Sequence, residues 1–149
     1  MEITWQKNRR IKKLLSSFYE DAVESLLQKY GPVTDDYFRE KSYNRFFNSE
    51  IKSINKVKSL RTSEGLYCHH VLEDRYHNLT DVDFCKRENV PYEAHKKENF
   101  CDLIEHFILH ILITKETNGK FGWAGVEVYV LPNLVQWYVA GVNVPNKGW

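Results

Sequence analysis

The chain has 149 residues, of which 42% are hydrophobic, 14% are aromatic and 28% are charged. Its length suits one ordinary domain, and this composition excludes an intrinsically disordered chain. No apolar run approaches the roughly 18 residues of a membrane span, and the first residues lack the apolar segment of a signal peptide. We therefore expect a cytoplasmic protein that forms a single domain, 1–149, and has no membrane partner.

The net charge of +1 conceals an uneven distribution. Residues 1–65 carry 13 Lys and Arg against 9 Asp and Glu, whereas residues 66–149 carry 8 against 11 and contain all six histidines. A basic region can hold a polyanion, and an acidic region rich in histidine can hold a cation.

Two helices are predicted in the basic region. Apolar residues recur at steps of three and four from Ile11 to Tyr30, and Gly31-Pro32 ends this first helix. A second helix is predicted to begin after Thr34, which is a good N-cap residue, and to continue to Ile54 with a break near Asn48-Ser49.

Basic side chains in this region are candidate contacts for a nucleic-acid backbone, because Lys and Arg neutralise phosphates. The alternative is a solvated charged rim, since the aromatic residues among them suit a hydrophobic core as well as a nucleic-acid face. The candidates are Arg9, Arg10, Lys12, Lys13, Arg45, Lys52, Lys56 and Lys58.

The acidic region is predicted to contain two short strands and two helices. Leu66–Leu72 and Glu98–Cys101 are the strand candidates, and the polar residues between them are predicted to be irregular. A strongly apolar helix begins after Asp102, and a final helix is predicted over Asn133–Val139, with Pro132 in its first turn.

Four histidines form a candidate metal site with its general base. His106 and His110 lie four residues apart on the predicted helix, so both imidazoles project from one face and can clamp a transition metal. Side chains alternate between the two faces of a strand, so one of His69 and His70 can face the metal while the other faces a substrate. Three ligands and one base suit metal-assisted phosphodiester hydrolysis. His77 and His95 are predicted to be loop histidines without such a role.

The order of these residues resembles that of the HNH endonucleases of the ββα-metal (His-Me finger) superfamily. The matching elements are Cys68–Val71, Lys97–Phe100 and Glu105–His110. The segments GLYCHHVLED, EHFILHILI and PNLVQWY are also similar to small Firmicutes and phage proteins with an HNH-like centre. The resemblance covers residues 64–140, and residues 1–63 form a basic helical region before it.

The resemblance implies an α+β fold, in which N-terminal helices pack on a small ββα-metal hairpin–helix core that a further C-terminal helix follows. It implies that His69, His106 and His110 bind one divalent metal ion, Mg²⁺ or Zn²⁺. Glu73 or Asp74 is an additional candidate for this ion.

The resemblance also assigns the catalytic roles. His70 would be the general base, and Asn99 would orient it. Asn99 lies closer to His106 than the corresponding residue usually does in the family, so Asn78 and Asn89 are alternatives.

These observations lead to three hypotheses. The first is an endonuclease that hydrolyses DNA, with RNA as an alternative substrate, and a homodimer would convert its nicking into double-strand cutting. The second is a non-catalytic HNH-like protein of a phage or mobile element, which inhibits a host nuclease or defence complex through the acidic residues 73–93. The third is a structural zinc domain that uses Cys68 or Cys101 with histidines, although three cysteines without a CxxC pair are more typical of reduced thiols.

Overall fold

The computed structural model describes residues 2–54, 64–96, 98–142 and 144. Within these ranges the chain combines helices with one two-stranded antiparallel sheet, which confirms the predicted α+β class. The order of the main elements is α1, Glu2–Leu15; α2, Tyr19–Tyr30; α3, Glu40–Phe47; β1, Tyr67–His70; α4, Val82–Arg87; β2, Glu98–Cys101; and α5, Leu103–Glu116.

Further helical segments complete the described chain. Short 3₁₀ helices span Val71–Asp74 and Tyr92–His95. The C-terminal helical run consists of Trp123–Gly125, Val126–Val130, Leu131–Leu134 and Val135–Val139. None of the described helices is long and apolar enough to span a membrane.

The predicted first helix is two helices, because residues 16–18 interrupt it between α1 and α2. The hydroxyls of Ser16 and Ser17 donate to backbone carbonyls three residues earlier, at 3.0 and 2.7 Å, and so occupy carbonyls near the end of α1. Phe18 has an extended backbone, and the backbone N–H of Tyr19 donates to Oε1 of Glu116 at 2.6 Å. The apolar period continues across the break because both helices pack against α5.

The second helix, α3, begins at Glu40 and not after Thr34. The preceding segment is not helical: Pro32 forms a β-bridge with Asn99, and the backbone N–H of Tyr37 donates to the Glu98 carboxylate at 3.2 Å. The helix ends at the predicted break near Asn48-Ser49, where Ser49 has a φ of 62°, and the predicted continuation to Ile54 is wrong because residues 48–54 are not helical. Lys56 and Lys58 lie outside the described residues.

The chain between β1 and β2 was predicted to be irregular, and this prediction is wrong. It contains α4 and two 3₁₀ helices around a second hydrophobic core. His95 lies fully buried in this core, with Nε2 3.2 Å from the hydroxyl of Tyr43, so it is not a simple loop residue. The fully or almost fully buried hydrophobic members of the core are Phe38, Tyr43, Leu79, Cys85, Val90, Tyr92 and Ala94.

The hairpin β1–β2 leads directly into α5. β2 has the predicted bounds, whereas β1 ends at His70 because the next residues turn into a 3₁₀ helix. Asp102 separates β2 from α5 and caps the helix: its carboxylate accepts the backbone N–H of Glu105 at 2.8 Å, and the Glu105 carboxylate accepts that of Asp102 at 2.9 Å. This cap places His106 one turn into α5.

The C-terminal helical run begins ten residues before the helix predicted over Asn133–Val139. It passes through Pro132, which lacks a backbone N–H and whose ring presses on the carbonyl four residues earlier. π-Helical turns span Val126–Val130 before the proline and Val135–Val139 after it.

Glu105 joins both N-terminal helices to the start of α5. Its buried carboxylate accepts hydrogen bonds from Lys29 Nζ and from the Tyr30 hydroxyl, each at 2.8 Å. The guanidinium of Arg10 lies 3.3 Å from the same carboxylate. Arg10, a predicted nucleic-acid contact, therefore has an ion pair within the fold.

We expect the Glu105→Ala variant to lower the free energy of unfolding by about 2–3 kcal/mol, because four donors, the backbone N–H of Asp102 among them, lose a buried partner. Urea denaturation measures this change. The control is Arg45→Ala, which removes an exposed ion pair with Glu50 and is expected to cost less than about 1 kcal/mol. Equal losses in the two variants would contradict the role of Glu105.

Candidate metal centre

Three buried histidines from β1 and α5 converge at one point. His69, His106 and His110 each place one ring nitrogen within 4.8 Å of the others, close enough to hold a metal ion. The Nε2 atoms of His106 and His110 are 3.2 Å apart. Two imidazoles on one tetrahedral Zn²⁺, with bonds of about 2.0–2.1 Å, place their nitrogens about 3.3–3.4 Å apart. The observed spacing therefore fits a shared metal ion.

Glu73 lies beside this three-histidine cluster. Its Oε2 is 3.1 Å from Nε2 of His110 and 3.7 Å from Nδ1 of His69. Burial acts to raise the pKa of Glu73, but His69 and the neighbouring histidines outweigh it and hold that pKa well below its usual range. Glu73 is thus an ionised fourth donor, whereas the carboxylate of Asp74 faces Arg75.

The hydrogen bonds of His110 leave its Nε2 as a bare acceptor in the neutral imidazole. Nδ1 lies 2.9 Å from the carbonyl oxygen of Gly122, which can only accept, so Nδ1 carries the proton. The unprotonated Nε2 then faces the Glu73 carboxylate. Two acceptors at this distance repel each other unless a proton or a metal cation lies between them.

Burial disfavours the charged form of His69 and His106 and so favours the neutral imidazole, the form that binds metals. Burial lowers the pKa of His106 to about 3, and it lowers the pKa of His69 well below the ordinary value. The Nδ1 atoms of both side chains are buried and have no hydrogen-bond partner among the described residues. For His69, a metal ion would satisfy the Nδ1 lone pair that the described residues leave unpaired, whereas the nitrogen of His106 that faces the cluster is Nε2.

Two glycines make room for His110. A Cβ atom on Gly125 would lie 2.4 Å from Cε1 of His110, and a Cβ atom on Gly122 would lie 2.6 Å from the His110 carbonyl oxygen. Gly122 also has a φ of 90°, which favours glycine. Sequence reasoning missed both residues, although a glycine inside a helical segment is itself a signal of close packing.

His70 projects from the other face of β1, as the alternation of a strand predicts. Its Nε2 lies 3.2 Å from Oε1 of Glu98, and its Nδ1 lies 3.7 Å from Oε1 of Glu73. Burial lowers the pKa of His70, but the two carboxylates outweigh it and raise that pKa to about 9. Glu98 was not predicted as a site residue, and its pairing with His70 in the register of the sheet is what reveals it.

Asn99 does not pair with His70 across the sheet. Its partner in the register is His69, and its side-chain amide donates to the carbonyl of Phe100 at 3.1 Å. Asn78, one of the two alternatives, lies in the wall of the cavity beside the metal centre, and Asn89 is exposed in the turn after α4.

A cavity of about 420 Å³ opens beside the metal centre. His70, Glu73, His106 and His110 contribute to its wall. The aromatic side chains in the wall are Tyr37, Tyr67, Tyr76 and Tyr129. This volume is in the range of roughly 300–1,000 Å³ that small-molecule sites occupy.

The predicted nucleic-acid contacts do not line this cavity in the part of the chain that the structure describes. Arg9 stacks over Trp5, and Arg45 pairs with Glu50. Lys12, Lys13 and Lys52 are exposed.

The cysteines and His77 do not belong to the three-histidine cluster, although Cys68 and His77 line the cavity beside it. Cys68 donates to the Glu98 carboxylate at 3.3 Å, and Cys101 donates to the carbonyl of Tyr67. Neither thiol belongs to the three-histidine cluster. His77 stacks on the ring of Phe121.

No known protein family, curated protein or solved structure matches this chain. The geometry of the site is therefore the evidence for its chemistry.

We expect the protein to bind one divalent transition metal per chain, and His106→Ala or His110→Ala to weaken that binding about 100-fold or more, because each removes a nitrogen donor. Isothermal titration of the metal-free protein with Zn²⁺ measures the affinity. His77→Ala is the control, since His77 lies outside the cluster. Unchanged affinity in the first two variants would show that the cluster is not the metal site.

The Gly125→Ala variant tests the packing of His110. An alanine inside an exposed helix usually gains about 1 kcal/mol of stability over glycine. Here we expect a loss of about 1–3 kcal/mol and weaker metal binding, because the new Cβ displaces the imidazole. In a His110→Ala background the loss should disappear, and a double-mutant cycle in urea measures this coupling. An additive result would argue against the contact.

Proposed function

We propose that the protein is a metal-dependent endonuclease with a ββα-metal core, which hydrolyses phosphodiester bonds in DNA or RNA. The observation that carries this proposal is the convergence of three histidine nitrogens and an ionised Glu73 at a cavity, with a fourth histidine on the opposite face of the same strand. The chain order of β1, β2 and α5 supports such a core.

The donor set indicates which metal would bind. Nδ1 of His69 and the Nε2 atoms of His106 and His110 would hold the ion, with Glu73 as the fourth ligand. Imidazole nitrogens suit Zn²⁺ and related transition metals, whereas Mg²⁺ prefers oxygen ligands. We therefore favour Zn²⁺ over Mg²⁺. When bound, the ion would stabilise the negative charge that develops on the phosphate and on the leaving oxygen.

His70 would act as the general base. With Nε2 paired to Glu98, its Nδ1 lies 3.7 Å from Oε1 of Glu73, the carboxylate beside the three-histidine cluster. With a pKa raised to about 9, His70 is mainly protonated near pH 7, and its neutral form, which can accept a proton from the attacking water, becomes predominant only as the pH rises through that value. Glu98 would hold the ring in place and stabilise the imidazolium that forms, which is the role that a carboxylate takes beside a catalytic histidine.

The substrate's other phosphates would be held outside the cavity. None of the described lining residues is Lys or Arg, so the wall itself offers no fixed cation beyond its histidines. Lys12 and Lys13, which are exposed at the end of α1, are candidates for contacts with the nucleic-acid backbone.

We expect the metal-loaded protein to cut supercoiled plasmid or single-stranded RNA, and His70→Ala to cut at least about 100-fold more slowly, which is typical for loss of a general base. Gel assays with added Zn²⁺, Mn²⁺ or Mg²⁺ measure the rates. Glu88→Ala, which changes an exposed side chain outside the described cavity wall, is the control and should cut at the wild-type rate.

The metal content of each variant separates chemistry from binding. His70→Ala is expected to retain its metal, because His70 is not a proposed ligand. A wild-type protein that holds its metal and cuts neither substrate with any of the three ions would refute the endonuclease function.

One observation favours a non-catalytic binding protein instead. His70 is only 1% exposed and is paired with Glu98, an arrangement that also suits a purely structural residue. Such a protein would inhibit a host nuclease or defence complex through exposed acidic side chains between β1 and β2. Its binding to that target should survive His70→Ala and weaken when Asp83 is changed to Lys.

A further inference from the structure

We propose that Tyr19 in α2 is a positioning residue of the metal centre, which fixes the tautomer of His69 so that Nδ1 faces the metal. The inference rests on the metal centre of the proposed function, and it does not depend on phosphodiester hydrolysis. It assigns a role at the site to the helical region before β1.

The single hydroxyl proton of Tyr19 decides the tautomer. The hydroxyl oxygen lies 2.8 Å from the carbonyl oxygen of Val71 and 2.7 Å from Nε2 of His69. A carbonyl oxygen can only accept, so the hydroxyl donates to Val71. Toward His69 the same oxygen must then accept, and Nε2 of His69 carries the proton.

A neutral imidazole with its proton on Nε2 has a bare lone pair on Nδ1. In His69 this Nδ1 is buried, has no hydrogen-bond partner among the described residues, and lies 3.7 Å from Oε2 of Glu73. The lone pair of His69 that could bind a metal is therefore the one on Nδ1, beside Glu73. An outer hydrogen bond that fixes a ligand's tautomer is a general feature of histidine–metal sites.

Tyr19 is itself held firmly. Its side chain is buried, and its backbone N–H donates to Glu116 at the end of α5. Its ring meets that of His69 edge to face, with the ring centroids 6.0 Å apart. The hydroxyl thus joins α2 to β1 and to the turn that carries Glu73.

Tyr19→Phe removes only the hydroxyl. His69 then loses the acceptor for its Nε2–H and can place its proton on Nδ1, beside the carboxylate of Glu73. Metal binding would have to expel that proton or return the ring to its former tautomer. Loss of such an outer hydrogen bond typically weakens metal binding by about 10–100-fold.

A chemically matched control lies in the second hydrophobic core. The hydroxyl of Tyr43 donates to the carbonyl of Val90 at 2.9 Å and lies 3.2 Å from Nε2 of His95. This is the same arrangement of tyrosine, carbonyl and buried histidine, but His95 is not one of the three clustered histidines. Tyr43→Phe therefore reports the cost of losing the hydroxyl without an effect on a metal ligand.

The experiment measures Zn²⁺ affinity of the full-length chain by competition with a chromophoric chelator, the absorption spectrum of bound Co²⁺, and urea unfolding of the metal-free protein. We expect both variants to lose stability. Only Tyr19→Phe should bind Zn²⁺ about 10–100-fold more weakly and change the Co²⁺ spectrum. Unchanged affinity and spectrum in Tyr19→Phe, or equal loss of affinity in both variants, would overturn the proposal.

The wild-type protein provides a second test that needs no substitution. Long-range ¹H–¹⁵N spectra of the metal-free chain report the tautomer of each histidine, and we expect His69 to carry its proton on Nε2. A proton on Nδ1 would overturn the inference. A wild-type protein that binds no metal would contradict both the metal centre and the role of Tyr19. A wild-type protein that binds metal but does not cut nucleic acid would contradict only the endonuclease function.

Discussion

The pairing of β1 with β2 is the constraint on which the candidate site depends. The register places His69 opposite Asn99 and His70 opposite Glu98, so the two histidines project from opposite faces of the sheet. A slip of one residue would exchange these faces and remove His69 from the cluster. Because only Asp102 separates β2 from α5, the register also determines where the helix begins relative to His69.

The second constraint is electrostatic. His69, His106 and His110 are buried beside the ionised carboxylate of Glu73, where an unsatisfied lone pair or charge is costly. Protons and a metal ion compete for the same acceptors in such a cluster. This competition makes the outer hydrogen bonds important, since the carbonyl of Gly122 and the hydroxyl of Tyr19 decide which nitrogen is left bare.

Local signals in the sequence predicted β2, the cap at Asp102 and the histidine clamp on α5, because spacing and capping act within a few residues. The break between α1 and α2 could not be predicted from the spacing of the apolar residues. Both helices pack apolar side chains against α5, so the three- and four-residue spacing continues across the break. Glu73 and Asp74 were both candidates for the metal. The 3₁₀ helix after β1 places the carboxylate of Glu73 beside His69 and His110 and that of Asp74 beside Arg75. Tyr19 and Gly125 reach the site through contacts between residues far apart in the chain, which no local pattern records.

These contacts show that part of the basic N-terminal region has a structural role. Arg10 and Lys29 direct their charges to Glu105 at the start of α5, and the tyrosine that begins α2 contacts a candidate metal ligand. Part of the positive charge therefore holds the fold together and is not available to a polyanion. A nucleic-acid backbone would have to be held by exposed lysines beyond this network. The N-terminal helices thus contribute to the site chiefly through the geometry that they impose on β1 and α5.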